Sequence, residues 1–416
     1  MESVRVKPLS GEKTVPIAEG WVLVIGMILI AANLRAPLTS VGPLVGTIRS
    51  ALGISNTIAG MITTLPLLAF ALLSPLAPRL ARRFGAPAVL FFAMMLLAAG
   101  IALRSAAGEG ALLTGTVILG MAIAVCNVLM PSLIKEKFPH KIGIMIGVYS
   151  VAMNLCGAIA SGISVPLAKQ LEQLGLGWNG ALGVWAFPAV LAVLCWIPQI
   201  RGGHKRQSAA LSASASAQAA AGPGRTNLWR SALAWQVALF MGLQSLVFYV
   251  IVAWLPGILQ SYGMTLSAAG WTLSMMQLAL LPISFLVPIW AGRMKSQVPL
   301  VLLTAAVLLI GVGGLLLGYR SIVVVSAILV GVGAGCSFSL AMMFFGLRTR
   351  TAQGAAELSG MSQSVGYLLA AVGPTLFGYL HDATQGWTVP LVVLLAVGVL
   401  LLVFGLGSAR NRYVEG

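Results

Sequence analysis

Apolar runs of roughly twenty residues, broken by short polar or basic clusters, recur from residue 20 to residue 407. A helix crosses a bilayer with about 20 such residues, rising about 1.5 Å at each. Run by run, the pattern predicts spans near 20–46, 57–77, 86–104, 110–134, 142–167 and 180–198, then 229–257, 267–291, 299–318, 322–346, 358–380 and 387–407. The runs are too long and too continuous for the roughly ten-residue alternating strands of a membrane barrel. The expected fold is an all-α polytopic membrane protein with twelve transmembrane helices in two six-helix bundles.

Residues 199–228 break the pattern. Ser208–Ala221 is almost entirely Ala, Ser and Gln and runs into Gly222-Pro223-Gly224, the composition of a flexible linker. The expected layout is a tail over 1–19, a bundle over 20–198, the linker, a second bundle over 229–407 and a tail over 408–416. A constant shift of 210 residues places Ala59-Gly60 on Ala269-Gly270, Pro78 on Pro288, Arg83 on Arg293 and Cys126 on Cys336. That single offset points to duplication of one half.

Composition narrows the function. The 416 residues are 59% hydrophobic and 8% charged, too few charges to clothe a water-facing surface, so a soluble enzyme is excluded. The net charge of +16 would suggest nucleic acid in a soluble protein. Here the basic residues punctuate the spans instead. With both termini cytoplasmic, 20 fall inside, among them Arg79, Arg82, Arg83, Lys135, Arg293 and Arg348, against Arg49, Arg104, Lys169 and Arg320 outside. That asymmetry orients the chain and leaves no nucleic-acid patch. Cys126, Cys156, Cys195 and Cys336 lie within apolar segments and read as small buried hydrophobes. His140, His204 and His381 share no metal spacing, so no metal, cofactor or catalytic set is expected.

Polar residues within the spans sort the helices. Asn33, Arg35, Asn127, Asn154, Gln236, Gln244, Gln277 and Gln363 belong to spans 1, 4, 5, 7, 8 and 11, whereas spans 3, 6, 9 and 12 have purely apolar interiors. Unpaired polar groups are costly in lipid, so every third helix is expected to face lipid around a polar cavity.

This arrangement resembles the major facilitator superfamily of secondary transporters. In that family the loop between spans 2 and 3 reads Gly-x-x-x-Asp-Arg/Lys-x-Gly-Arg; here Leu80-Ala81-Arg82-Arg83-Phe84-Gly85 puts Arg82 in the place of the Asp. More narrowly, the chain is similar to the cyanate-permease branch, which includes nitroimidazole transporters. Asn33-Leu34-Arg35 with Val41-Gly42-Pro43-Leu44, Asn127 with Pro131, Trp254-Leu255-Pro256, Gly366-Tyr367, Gly373-Pro374 and His381-Asp382 carry that likeness over nearly all of residues 20–407. The resemblance implies a multi-pass protein of a bacterial inner membrane, monomeric, moving a small solute by alternating access.

Arg35 is the residue on which function turns. It lies about 22 Å into span 1, where insertion costs about 2.5–3.5 kcal/mol, so it must face the interior and find partners. All nine acidic residues lie in tails, loops or helix ends. A midplane guanidinium without a protein counter-ion suits an anion with paired oxygens, although capping of carbonyls freed near Pro37 would also satisfy it. Asn33, Asn154, Gln244, Gln277, Gln363 and Tyr367 are candidate ligands, with Tyr249 and Trp254 as walls. Gln363 and Tyr367, four apart, share a helix face. For gating, Arg82 or Arg83 is expected to pair with Glu357, with Glu136 and Arg293 as further candidates. No embedded acid serves a proton-driven exporter, which favours passage of a cyanate-like anion or small carboxylate, with a neutral nitroimidazole-like solute as the alternative. A channel or a transporter-like sensor is a different class.

Overall fold

The computed structural model describes residues 17–54, 56–106, 108–200 and 228–415. The tail before residue 17 and the linker over 201–227 lie outside the described residues. Helices α1 (Ile17–Thr39), α2 (Asn56–Leu73), α3 (Ala86–Arg104), α4 (Glu109–Lys137), α5 (Ile142–Glu172) and α6 (186–200) form the first half. The second half comprises α7 (Ala232–Ser261), α8 (Leu266–Arg293), α9 (Val298–Leu317), α10 (Val323–Leu347), α11 (Ala352–Thr384) and α12 (Thr388–Ser408). Among the described residues there is no strand.

Ten of these segments are long and apolar enough to cross a membrane. An eleventh is the pair Met61–Leu73 and Ala77–Phe84, bent by 55° where Pro75 interrupts the ladder. The twelfth, α11, has 33 residues and a length of about 50 Å, but Gln353, Glu357, Ser359, Ser362, Gln363 and Ser364 make it too polar to register. Its polar face is covered by protein: α11 packs against α7 in its own half and against α2 and α4 in the other. Local signals set the helix starts. Ser231, Thr265 and Thr351 accept from Ala234, Ala268 and Gly354 N–H at the heads of α7, α8 and α11, and Gly318 in the left-handed region ends α9.

The apolar helices α3, α9 and α12 pack chiefly within their own halves, at the periphery where the polar census put them. Inter-half packing belongs to α5 with α8, α2 and α4 with α11, and α4 and α5 with α10. Glycine makes the α5–α8 seam: a Cβ on Gly143 would lie 2.4 Å from the Pro288 carbonyl, and one on Gly147 3.0 Å from that of Phe285. The halves therefore meet backbone to backbone near the face carrying Arg82, Arg83, Lys135 and Arg293, hereafter the basic face.

Of three cations at the ends of apolar runs, two prove to be buried fixtures and the third, Lys135, is partly buried. Arg104, counted outside, is fully buried; its Nη1 donates 2.6 Å to the Pro37 carbonyl, one of the last in α1 with no donor in its own helix. Arg348 is 1% exposed and donates to Ser408 O at 2.7 Å, Ala409 O at 3.1 Å and Gln297 Oε1, while Gln297 in turn caps Ala291 and Met294. Burial lowers the Arg348 guanidinium to about 10, which leaves it charged at neutral pH. Lys135 reaches across the halves, as described below. A charge at the end of an apolar run can turn back onto a helix terminus, where it meets the negative end of the dipole. Among the cysteines, Cys126 and Cys336 are buried in α4 and α10, whereas Cys156 and Cys195 are only partly covered.

Candidate functional site

A small, open cavity lies between the halves, lined by Arg35, Gln244, Ser245, Phe248, Tyr249, Leu280, Ala334, Phe338 and Tyr367. Eight of these nine come from the middles of α7, α8, α10 and α11, which fixes the depth; Arg35 alone comes from the first half. Its guanidinium carbon lies 4.7 Å from the Phe248 ring centroid and 5.7 Å from that of Phe338, within cation–π range. Nη1 donates to Asn154 Oδ1. Asn154 is aimed by its own amide nitrogen, which donates to Ser150 O at 2.9 Å and to Ser284 Oγ of α8 at 3.3 Å. A Cβ on Gly157 would come within 2.9 Å of Arg35 Cγ, so this glycine clears the path for the arginine stem. No acidic side chain is among the lining residues, so the cation meets only amide oxygen and ring faces.

The candidates from the sequence divide. Gln244, Tyr249 and Tyr367 line the cavity with Arg35, and Asn154 stands behind it as the partner of the guanidinium. Gln363 is fully buried one turn toward the basic face and donates to Ser359 Oγ at 2.9 Å. Asn33 is turned away: two positions from Arg35 is about 200° around the helix, and its amide donates to Leu29 O and Pro188 O, tying α1 to α6. Trp254 donates to Pro374 O at 2.8 Å and packs on Trp387, a joint between α7 and α11 beyond the cavity. Gln277 is partly exposed on α8, one turn from Leu280. Carbonyl capping near Pro37 belongs to Arg104, not Arg35. A search for polar residues overlooked Phe248, Phe338 and Gly157, whose relevance lies in what they place around Arg35.

The Major Facilitator Superfamily profile matches residues 23–374. The chain belongs to this superfamily. A 2-nitroimidazole transporter of Escherichia coli is 42% identical over 394 residues, covering 95% of this chain and 97% of that one. An uncharacterised transporter of Bacillus subtilis is 47% identical over 396 residues, 94% of each. A cyanate transport protein of Escherichia coli is 25% identical over 391 residues, 92% of this chain and 97% of the other. These relatives place the facilitator in the cyanate and nitroimidazole branch. Among solved structures, the proton:xylose symporter XylE bound to 6-bromo-6-deoxy-D-glucose superposes with a TM-score of 0.77 at 13% identity, covering 95% of this chain and 98% of that one, a likeness of fold alone. The protein is thus a multi-pass membrane transporter and not an enzyme.

In this facilitator the polar contacts between halves descend from the cavity to the basic face. Asn154 meets Ser284; below it Ser364 Oγ donates to Ala71 O at 2.5 Å, and Tyr367 packs edge-on against Phe70 at 4.8 Å. At the face itself Arg82 Nη1 lies 2.5 Å from Glu357 Oε1. Arg83 instead lies over Phe84, Glu136 pairs with Lys137 at 2.6 Å, and Arg293 is exposed at the end of α8. Both partners of the Arg82–Glu357 pair are about one-third exposed, so the pair is worth about 0–1 kcal/mol. Lys135 is the stronger link: its ammonium donates to Gly346 O at 2.8 Å, to Thr349 O and to Thr349 Oγ1 at 3.0 Å. Hydrogen bonds to a charged group contribute about 1.5–3 kcal/mol where water is excluded. These contacts bridge the two halves at the basic face.

Proposed function

We propose that the protein moves a small anion, in the first instance a carboxylate with its paired oxygens or a linear cyanate-like anion held through its charge, by alternating access across a bacterial inner membrane as a monomer. The basic face is then cytoplasmic, and the state in which these contacts bridge the halves is outward-facing. The observation that carries this reading is the Arg35 guanidinium, directed into a cavity that offers it Asn154 and two phenyl rings but no carboxylate. A guanidinium presents parallel donors to two coplanar oxygens, and desolvation by the aromatic wall strengthens that attraction. Gln244 and Tyr367 supply further polar contacts, and Arg82 with Glu357 forms part of the cytoplasmic gate.

One observation favours a second reading. The aromatic wall of Phe248, Tyr249, Phe338 and Tyr367 suits a flat ring, and the 42% identical relative is named for 2-nitroimidazole, whose nitro group also presents two coplanar oxygens. Counterflow in proteoliposomes separates the two, with cyanate, benzoate and 2-nitroimidazole as competing solutes. Saturable exchange of benzoate or cyanate, abolished in Arg35→Ala, is the expected result. Exchange of 2-nitroimidazole alone, with neither anion competing, overturns the anion reading.

A further inference from the structure

The segment after α12 returns to the loop between α10 and α11 and is built into it. Val414 is buried, and its N–H donates to Arg348 O at 2.8 Å. The Arg350 guanidinium lies 5.3 Å from the Tyr413 ring centroid. The Arg350 backbone N–H donates to both carboxylate oxygens of Glu415, at 3.0 and 3.2 Å. A Cβ on Gly354 would stand 2.5 Å from Glu415 Oε1, so the carboxylate sits directly over the first turn of α11. The positive end of the helix dipole favours an anion there.

The first half grips the same loop from the other side. Lys135 holds the Gly346 and Thr349 carbonyls that end α10, and Ser132 Oγ donates to Ala352 O at 2.6 Å. The loop thus joins a helix C-terminus that takes a cation to a helix N-terminus that takes an anion. Each charge comes from elsewhere in the chain. We propose that Lys135 and Glu415 are positioning residues of a second closing device on the basic face, independent of the Arg82–Glu357 pair. Glu415 holds the loop in the shape that presents its carbonyls, and Lys135 and Ser132 are the contacts that break when the halves part. The device concerns the access cycle and holds whichever solute is carried.

The test uses a cysteine at Gln363, fully buried one turn below the cavity, in the full chain with its four native cysteines replaced by alanine. A membrane-impermeant maleimide is applied to the basic face of vesicles. Glu415→Gln and Lys135→Met should each raise the alkylation rate by about tenfold, the low end of one charge-assisted contact. Lys135→Arg should stay near the parent rate, because it keeps charge and donors. Arg82→Gln serves as comparator, and its effect should multiply with that of Glu415→Gln, whereas Lys135→Met with Glu415→Gln should not exceed the larger single effect. A merely structural role would lower the melting temperature without altering the rate. Should Lys135→Met fail to accumulate, Glu415→Gln at the edge of the protein decides alone. Rates within twofold of the parent for Glu415→Gln overturn the proposal; acceleration by Arg82→Gln in the same experiment would show that the other gate stands.

Discussion

Arg35 lines an open cavity from α1 while Arg104 is fully buried beside the same helix, and the two are held in opposite ways. Arg104 ends on a backbone carbonyl, that of Pro37, and cannot move without moving the end of α1. Arg35 ends on a side-chain amide and two ring faces, all of which can yield to a better acceptor. One guanidinium builds the helix terminus; the other is available. The nature of the acceptor, together with the depth of burial, sets the two guanidinium groups apart.

Substitutions at the two sites should therefore fail differently. Arg35→Ala should lower uptake of a carboxylate probe by about 100-fold or more, the equivalent of about 3 kcal/mol of charge-assisted contact, with the melting temperature near that of the parent. Arg104→Ala should do the reverse: it leaves the Pro37 carbonyl only the longer 3.3 Å contact from the Ser40 hydroxyl and empties a fully buried site, at about 1–3 kcal/mol, read as a lower melting temperature, with uptake per folded molecule within about threefold. Loss of uptake in Arg104→Ala at unchanged stability would collapse the distinction.

Smaller changes sharpen it. Gly157→Ala forces a Cβ against the Arg35 stem, and displacing the guanidinium should weaken probe binding by about tenfold in a competition assay. Arg35→Lys keeps the charge and loses the paired donors, so it should weaken benzoate by about fivefold more than cyanate. Equal effects on the two would argue against recognition of paired oxygens. Asn154→Ala should have the smallest effect, about threefold on apparent affinity, because a bound oxygen takes the place of Oδ1.

Much of this was legible beforehand, for reasons that also mark the limits. The spans followed from run length, and span 3 was placed at 86–104, the bounds of α3. Arg35 stood out because a charge inside an apolar run has few explanations. The carbonyl contacts of Arg104, Lys135 and Arg348 were not visible because a cation at the end of a run looks the same whether it meets water or folds back onto a carbonyl. Asn33 was grouped with Arg35 by proximity in sequence, although the helical turn sends it to α6. Phe248 and Phe338 look like ordinary lipid-facing or core residues until the tertiary structure brings their rings to Arg35. The contacts of Glu415 join residues 65 apart and leave no local trace.

The polarity of α11 bears on how the chain enters the bilayer during synthesis. A segment with so many amide and hydroxyl groups partitions poorly into lipid by itself, so α11 must leave the insertion machinery already leaning on α7. Their crossing is a backbone contact: a Cβ on Gly242 would lie 3.1 Å from Gly366 Cα. A bulky residue at either glycine should therefore appear as protein degraded before assembly, a defect of biogenesis in a position that touches no solute.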